Sequence, residues 1–195
     1  ETLSFASGKI TEHGQRAEKI VKSMLMHSRK GSGAFEDVQF NDFVSSCVDL
    51  SAFGAKASIS ATETHFNTNY DPGAGSVSIC TQEVSRVIIN LINNSLYALQ
   101  KKKQQEPEFQ PVISITTEKE ERLTVLKIKD NGTGIPENVI KKIFDPFFTT
   151  KPAGEGTGLG LSLSYEIVAH MHKGEMTVDS QPGEYTEFTI KLPVN

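Results

Sequence analysis

Residues 130–162 read DNGTGIPENVIKKIFDPFFTTKPAGEGTGLGLS, and the reading of the whole chain turns on this stretch. It holds two glycine-rich segments, DNGTGIP and GEGTGLGLS, on either side of a turn-rich piece that carries Phe144, Phe147 and Phe148. Glycine permits backbone angles and close approaches that any Cβ would block. Two such segments around an apolar middle point to a pocket and a loop that covers it. Phe144 reads as core packing, and Pro146 and Pro152 stiffen the turn. In the second segment Gly154, Gly156, Gly158 and Gly160 open directly onto a helical pattern, where free backbone N–H groups and the helix dipole bind phosphate. No GK[ST] follows, so the spacing is not that of a Walker A loop. The segment does not follow a strand either, as it would in a dinucleotide fold. Lys151, just upstream, reads equally as a phosphate partner and as a solvated lysine.

Before this block lies a strong helical pattern from Gln82 to about Lys103. Val84, Val87, Ile88, Leu91, Ile92, Ser95, Leu96 and Leu99 share one face of it. Asn90, Asn94, Tyr97 and Lys101 form a separate polar line beside that stripe. Two asparagines four residues apart point the same way and offer neutral oxygens to a hard cation such as Mg²⁺, which is commonly shared between protein oxygens and phosphates. Asp130 ends an apolar strand, where its carboxylate can accept from an exocyclic amine and so select adenine over guanine. The run Lys101-Lys102-Lys103 reads as a solvated helix end.

The chain has 195 residues, 37% hydrophobic and 23% charged, with a net charge of −4. That length holds one good-sized core with or without a small appendage. The acidic balance argues against a nucleic-acid partner bound through bulk charge. Cys47 and Cys80 have no CxxC spacing, which fits a reduced, cytoplasmic setting. No apolar run approaches the ~20 residues that cross a bilayer, and no signal peptide is evident. The first residue is Glu rather than Met, which fits a fragment of a longer protein, with membrane attachment of that protein left open.

Residues 1–30 carry a heptad-like seam, with Leu3, Ile10, Ala17 and Met24 at one position and Ala6, His13, Ile20 and His27 at the offset one. Such a helix needs a partner for its apolar stripe, either its own domain or, the reading preferred, the rest of a helical hairpin or dimeric bundle. GSG at Gly31 to Gly33 forms a short joint. Beyond it the patterns predict a strand over Phe35–Phe40, a helix capped by Asn41, strands over Ile59–Phe66 and Val77–Cys80 around the turn DPGAG, and the helix from Gln82. Val112–Thr117 and Leu123–Lys129 alternate as an antiparallel pair. A helix over Leu159–His172 and a hairpin of Glu175–Asp179 with Glu187–Leu192 complete the chain. Mixed helices and strands without strict alternation favour an α+β two-layer sandwich with helices on one face.

The ordered set NxxxN on a helix, DNGTGIP, FDPFFTTK and GEGTGLGLS resembles the N, G1, F and G2 boxes of the sensor histidine kinases of two-component systems. These belong to the Bergerat-type (GHKL) ATPase superfamily, which also holds gyrase and MutL. The resemblance runs from about Phe35 to the C-terminus. EHGQRAEKIVKSMLMHSR, residues 12–29, is similar to the second helix of the family's dimerisation and phosphoacceptor hairpin. The resemblance implies a Bergerat fold with a mostly antiparallel mixed sheet, preceded by one long helix. Residues 1–30 would be a remnant of the hairpin, and residues 31–195 the catalytic ATP-binding domain.

It also implies ATP and Mg²⁺ as cofactors. Asp130 would bond the adenine amine above a floor shaped by Gly132, Gly134 and Ile135, with Thr186 nearby. Asn94 would coordinate Mg²⁺, and Asn90 and Lys151 would help position the phosphates. The phosphate cradle would be Gly154, Gly156, Thr157, Gly158, Leu159 and Gly160. Tyr97 stands where the family commonly has a basic or polar side chain, and it brings a hydrogen bond without charge. The implied partners are the phosphoacceptor hairpin of the full-length homodimer and a response-regulator receiver domain. The superfamily's hydrolysing members place a glutamate at the position of Asn90, so the resemblance favours transfer to a protein over hydrolysis. None of His13, His27, His65, His170 and His172 has the context of a phosphoacceptor. A switch ATPase and a non-catalytic nucleotide-sensing module are the alternative readings.

Overall fold

The computed structural model describes residues 33–56, 64–152 and 155–194. The expected hairpin helix over residues 1–30 and Gly154 lie outside the described residues. In chain order the elements are β1 (Glu36–Gln39), α1 (Phe40–Lys56), β2 (His65–Tyr70), β3 (Ser76–Ile79), α2 (Thr81–Gln105), β4 (Val112–Glu120), β5 (Leu123–Asp130), α3 (Glu137–Ile140), α4 (Gly160–Tyr165), β6 (Glu175–Gln181) and β7 (Tyr185–Pro193). A 3₁₀ turn over Pro72–Ala74 separates β2 from β3, and a π-helical turn over Glu166–Met171 continues α4.

Five strands form one sheet in the order β2-β4-β5-β7-β6, and β1 pairs with β3 in a small second sheet. Only β2 and β4 run parallel in the large sheet; the other neighbours are antiparallel. A parallel pair needs a crossover, and here the chain between β2 and β4 contains α2. The period-two pattern of the strands does the rest. Ile113, Ile115 and Thr117 of β4, Leu126 and Ile128 of β5, and Phe188, Ile190 and Leu192 of β7 are buried on the helix-facing side. Against them α2 buries Val84, Val87, Ile88, Leu91, Ile92 and Leu99, the stripe its periodicity predicts. Phe40, Val44, Cys47 and Val48 of α1 close the same core. Each large aliphatic side chain so covered contributes roughly 1.5–3 kcal/mol. On the other side of the sheet Lys127 pairs with Glu118 at 2.7 Å and Lys191 with Glu120 at 2.8 Å. The layers are those of an α+β two-layer sandwich with helices on one face.

Three local expectations are corrected. The first helix starts at Phe40, so Asn41 lies in its first turn and not at its cap. The Asn41 amide instead donates to Asp71 O at 2.8 Å and accepts from Thr117 Oγ1 at 2.7 Å, tying the helix to the sheet. The strand expected from Ile59 begins at His65, with residues 57–63 outside the described residues. The last helix changes pitch at Glu166, where His172 N–H bonds Ile167 O five residues back. Among the described residues no helix is long and apolar enough to cross a membrane.

Candidate functional site

One cleft of about 370 Å³ opens between α2, the end of β5 and the segment that follows it. Its lining includes Asn90, Asn94, Tyr97, Asp130, Gly134, Ile135, Lys151, Gly156, Thr157, Gly158, Gly160 and Thr186, which the sequence reading had singled out. Gly132 and Leu159 are not among the lining residues. Gly132 sits behind the wall, where a Cβ would meet Asp130 Oδ1 at 2.7 Å and Ala98 Cβ at 2.8 Å.

At one end of the cleft stands Asp130, the last residue of β5 and 2% exposed. Its neighbour across the sheet is Thr186 of β7, also buried. Oδ1 accepts from Gly132 N–H at 3.0 Å. Burial pushes the carboxyl from an ordinary 3.8 up to about 6, with Ser95, the Gly132 N–H and the Lys102 charge pulling the other way. Ser95 Oγ is buried with no hydrogen-bond partner meeting strict geometry among the described residues, yet it lies near enough to this carboxyl to favour its ionised form. A buried acceptor beside an unsatisfied donor and acceptor is an environment that a polar ring edge would satisfy.

The walls of this end are held by two devices. Gly134 has φ +64°, and a Cβ there would stand 2.1 Å from Gln181 O, so the β6–β7 turn presses directly on its backbone. Lys102 Nζ donates to Gly183 O at 2.7 Å and to Asn131 O at 3.1 Å, with Gly132 O at 3.4 Å. Its ammonium also stands 4.7 Å from the Phe109 ring centroid. The basic run is therefore no solvated helix end. Lys102 clamps the DNG turn to the β6–β7 turn, Lys103 bonds Phe109 O at 2.8 Å, and Lys101 lines the cleft.

The other end is polar. Asn94 Oδ1 accepts from Lys151 Nζ at 3.0 Å, and the same ammonium lies 4.4 Å from the Tyr97 ring centroid. Burial lowers the pKa of Lys151, opposed by the nearby Glu155 charge. Tyr97 OH donates to Glu155 Oε2 at 3.3 Å. Asn90 faces the start of α4. Its Nδ2 donates to Ser164 Oγ at 3.0 Å, and Ser164 Oγ donates to Gly160 O at 2.9 Å. Asn94 Oδ1 already receives a cation, which is the chemistry a hard metal ion asks of it.

Of the three phenylalanines, Phe144 packs on the core and stacks at 5.3 Å on Tyr165, and Phe148 is part-buried and lines the cleft. Phe147 is 52% exposed, with φ +67°. Its carbonyl carbon would lie 2.3 Å from a Cβ on Gly158, itself at φ +70°. The covering loop and the second glycine segment are thus seated backbone on backbone. Sequence reasoning missed Lys102, Ser164, Glu155 and the apolar wall of Val139 and Ile143. For Ser95 a signal existed, since a serine stands on the apolar stripe of α2.

The model of the histidine kinase-, DNA gyrase B-, and HSP90-like ATPases matches residues 81–195, which contain every element of the cleft. The chain belongs to this ATPase family. Among curated relatives, the chain is 28% identical over 191 residues to the signal transduction histidine-protein kinase AfsQ2 of Streptomyces coelicolor, covering 94% of the chain and 32% of that protein. It is 31% identical over 179 residues to the histidine-protein kinase AtoS of Escherichia coli, covering 91% and 27%. The chain thus spans about a third or less of these relatives. In structure it is similar to the catalytic domain of histidine kinase ThkA, with a TM-score of 0.68 at 25% identity over 82% of this chain and 97% of that one. It also aligns with ThkA in the complex of that kinase with the response regulator TrrA, at a TM-score of 0.73 and 25% identity over 100% of this chain and 52% of that one.

Proposed function

We propose that this chain is the ATP-binding catalytic part of a sensor histidine kinase, which transfers the γ-phosphate of Mg-ATP to a histidine on a helical hairpin of its own dimer for relay to a response regulator. The observation that carries the reading is one cleft with a buried carboxylate at one end and, at the other, an amide oxygen already receiving a cation beside glycines that open a helix. In this reading Asp130 and Thr186 take the adenine edge, and Gly134 and Ile135 form its floor. Asn94 holds the metal, which when bound would neutralise charge on the phosphates. Gly156, Thr157, Gly158 and Gly160, which line the cleft at the start of α4, would cradle the phosphates with their backbone. Catalysis would then be positioning and electrostatic stabilisation of an in-line attack.

Asn90 supports transfer over hydrolysis. Its amide is engaged with Ser164, and a carboxamide is no base for activating water. The environment of His172 also fits an acceptor outside this domain. His172 is buried, with Nε2 accepting from Cys80 N–H and Nδ1 bonded to Ile167 O, so neither nitrogen is available as a nucleophile. The test supplies the chain with labelled Mg-ATP and an acceptor hairpin from a related kinase. Label on the hairpin histidine, abolished by Asp130→Asn, is expected. Steady phosphate release without labelled hairpin would favour the switch-ATPase reading.

A further inference from the structure

The cleft contains its own cation. Lys151 reaches from the covering loop to Asn94 Oδ1 at 3.0 Å, and its ammonium rests on the face of Tyr97 at 4.4 Å. Both of these neighbours are neutral. The nearby carboxylate, Glu155, accepts from Tyr97 OH at 3.3 Å and acts on Lys151 through its charge. A lysine ammonium has three donors and a compact charge, and here it points one donor at the oxygen assigned to the metal. Mg²⁺ would need that oxygen at about 2.0–2.1 Å. Two cations on one amide oxygen repel each other at that separation, so they compete for it.

We propose that Lys151 is a built-in surrogate for the metal ion. Without nucleotide its ammonium holds Asn94 Oδ1; when the metal–nucleotide arrives, the ammonium leaves that oxygen for the phosphates. The inference rests on reading the cleft as a Mg-nucleotide site. It assigns to the loop the positive charge that α2 lacks at Tyr97, whose phenol brings no charge of its own. Two effects follow from one exchange. Lys151 competes with the metal for Asn94, and it partly replaces the metal when none is present.

The experiment compares affinity for a fluorescent ATP analogue in excess Mg²⁺ and in excess EDTA, for the wild-type chain and for Lys151→Met. The readout is the ratio of the two dissociation constants. A charge-assisted hydrogen bond is worth roughly 1.5–3 kcal/mol, or about tenfold and more. In the variant the metal loses its competitor and metal-free nucleotide loses the loop lysine that lines the cleft. The EDTA-to-Mg²⁺ ratio is therefore expected to widen by about tenfold, and Lys151→Arg, which keeps the charge, is expected to narrow it again. An unchanged ratio in Lys151→Met, with nucleotide still bound, overturns the surrogate role and leaves the nucleotide site standing. Absence of nucleotide binding by the wild-type chain in both buffers overturns the site itself, and the surrogate with it.

Discussion

Asn90 and Gly160 meet so closely that a Cβ on the glycine would lie 2.4 Å from Asn90 Oδ1. The contact sets the start of α4 against α2. Alanine at position 160 would gain up to about 1 kcal/mol of helix propensity, but overpacking a fixed contact costs about 1–3 kcal/mol. Gly160→Ala is therefore expected to lower stability in a urea melt, and Asn90→Ala in the same chain to recover most of the loss. Strict additivity of the two substitutions would show that the contact is not the cause.

With Asp130 at the adenine edge, as proposed, nucleotide affinity is expected to depend on pH. Its carboxyl is raised to about 6, and a donor from the ligand favours the ionised form. Affinity is expected to be level above pH 7 and to fall about tenfold per unit well below pH 6, with proton release on binding near pH 6. Titration calorimetry in two buffers of different ionisation heat measures both. For the fold the sign is opposite. Between 3.8 and about 6 the folded state binds more protons, so this group adds stability as pH falls through that window, about 3 kcal/mol in all.

Lys102 is expected to hold the Asp130 end of the cleft from behind its wall. Lys102→Met keeps the apolar stem but drops the bonds to Asn131 O and Gly183 O. A loss of roughly 1–3 kcal/mol is expected, with faster hydrogen exchange at the Gly183 N–H that bonds Thr133 O at 2.7 Å. Unchanged exchange at that amide would remove the clamp from the account.

His172 should be a source of acid sensitivity. Burial lowers its pKa from the usual 6.5, and its Nε2 must stay unprotonated to accept from Cys80 N–H at 3.0 Å. Below 6.5 the unfolded chain takes up the proton first, so stability is lost as pH falls from 6.5 toward the folded-state value. The contribution of Asp130 runs the other way, so the comparison is best made in an Asp130→Asn background. There His172→Gln is expected to flatten the stability profile between pH 7 and 5, and an equally steep profile would reject the assignment.

The periodic parts of the fold were legible because burial imposes them. The stripe on α2 and the alternation on β4, β5 and β7 read out one covered face each. The glycine segments were legible for a different reason: Gly134, Gly158 and Gly160 stand where backbone or side-chain atoms leave no space for a Cβ. What could not be read were contacts that join distant parts of the chain through flexible or polar groups. Lys102 looks like any lysine near a helix end until the carbonyls at 131 and 183 are brought to it. Asn41 has the chemistry of a cap, and tertiary partners at 71 and 117 claimed it instead. The π-helical turn has no marker in EIVAHM, and only the placement of His172 beside Cys80 gives it a purpose.

Helix α2 carries Asn90, Asn94, Ser95 and Lys102, so residues serving both ends of the cleft hang from a single rigid rod. From Asn90 to Lys102 the rod advances about 18 Å at 1.5 Å per residue. It acts as a ruler, and its phase matters as much as its length. One residue inserted near Tyr97 would leave the hydrogen-bonded helix intact yet swing one end of the site by about 100° away from the other. Within this helix, variation is open to side chains and closed to insertions and deletions.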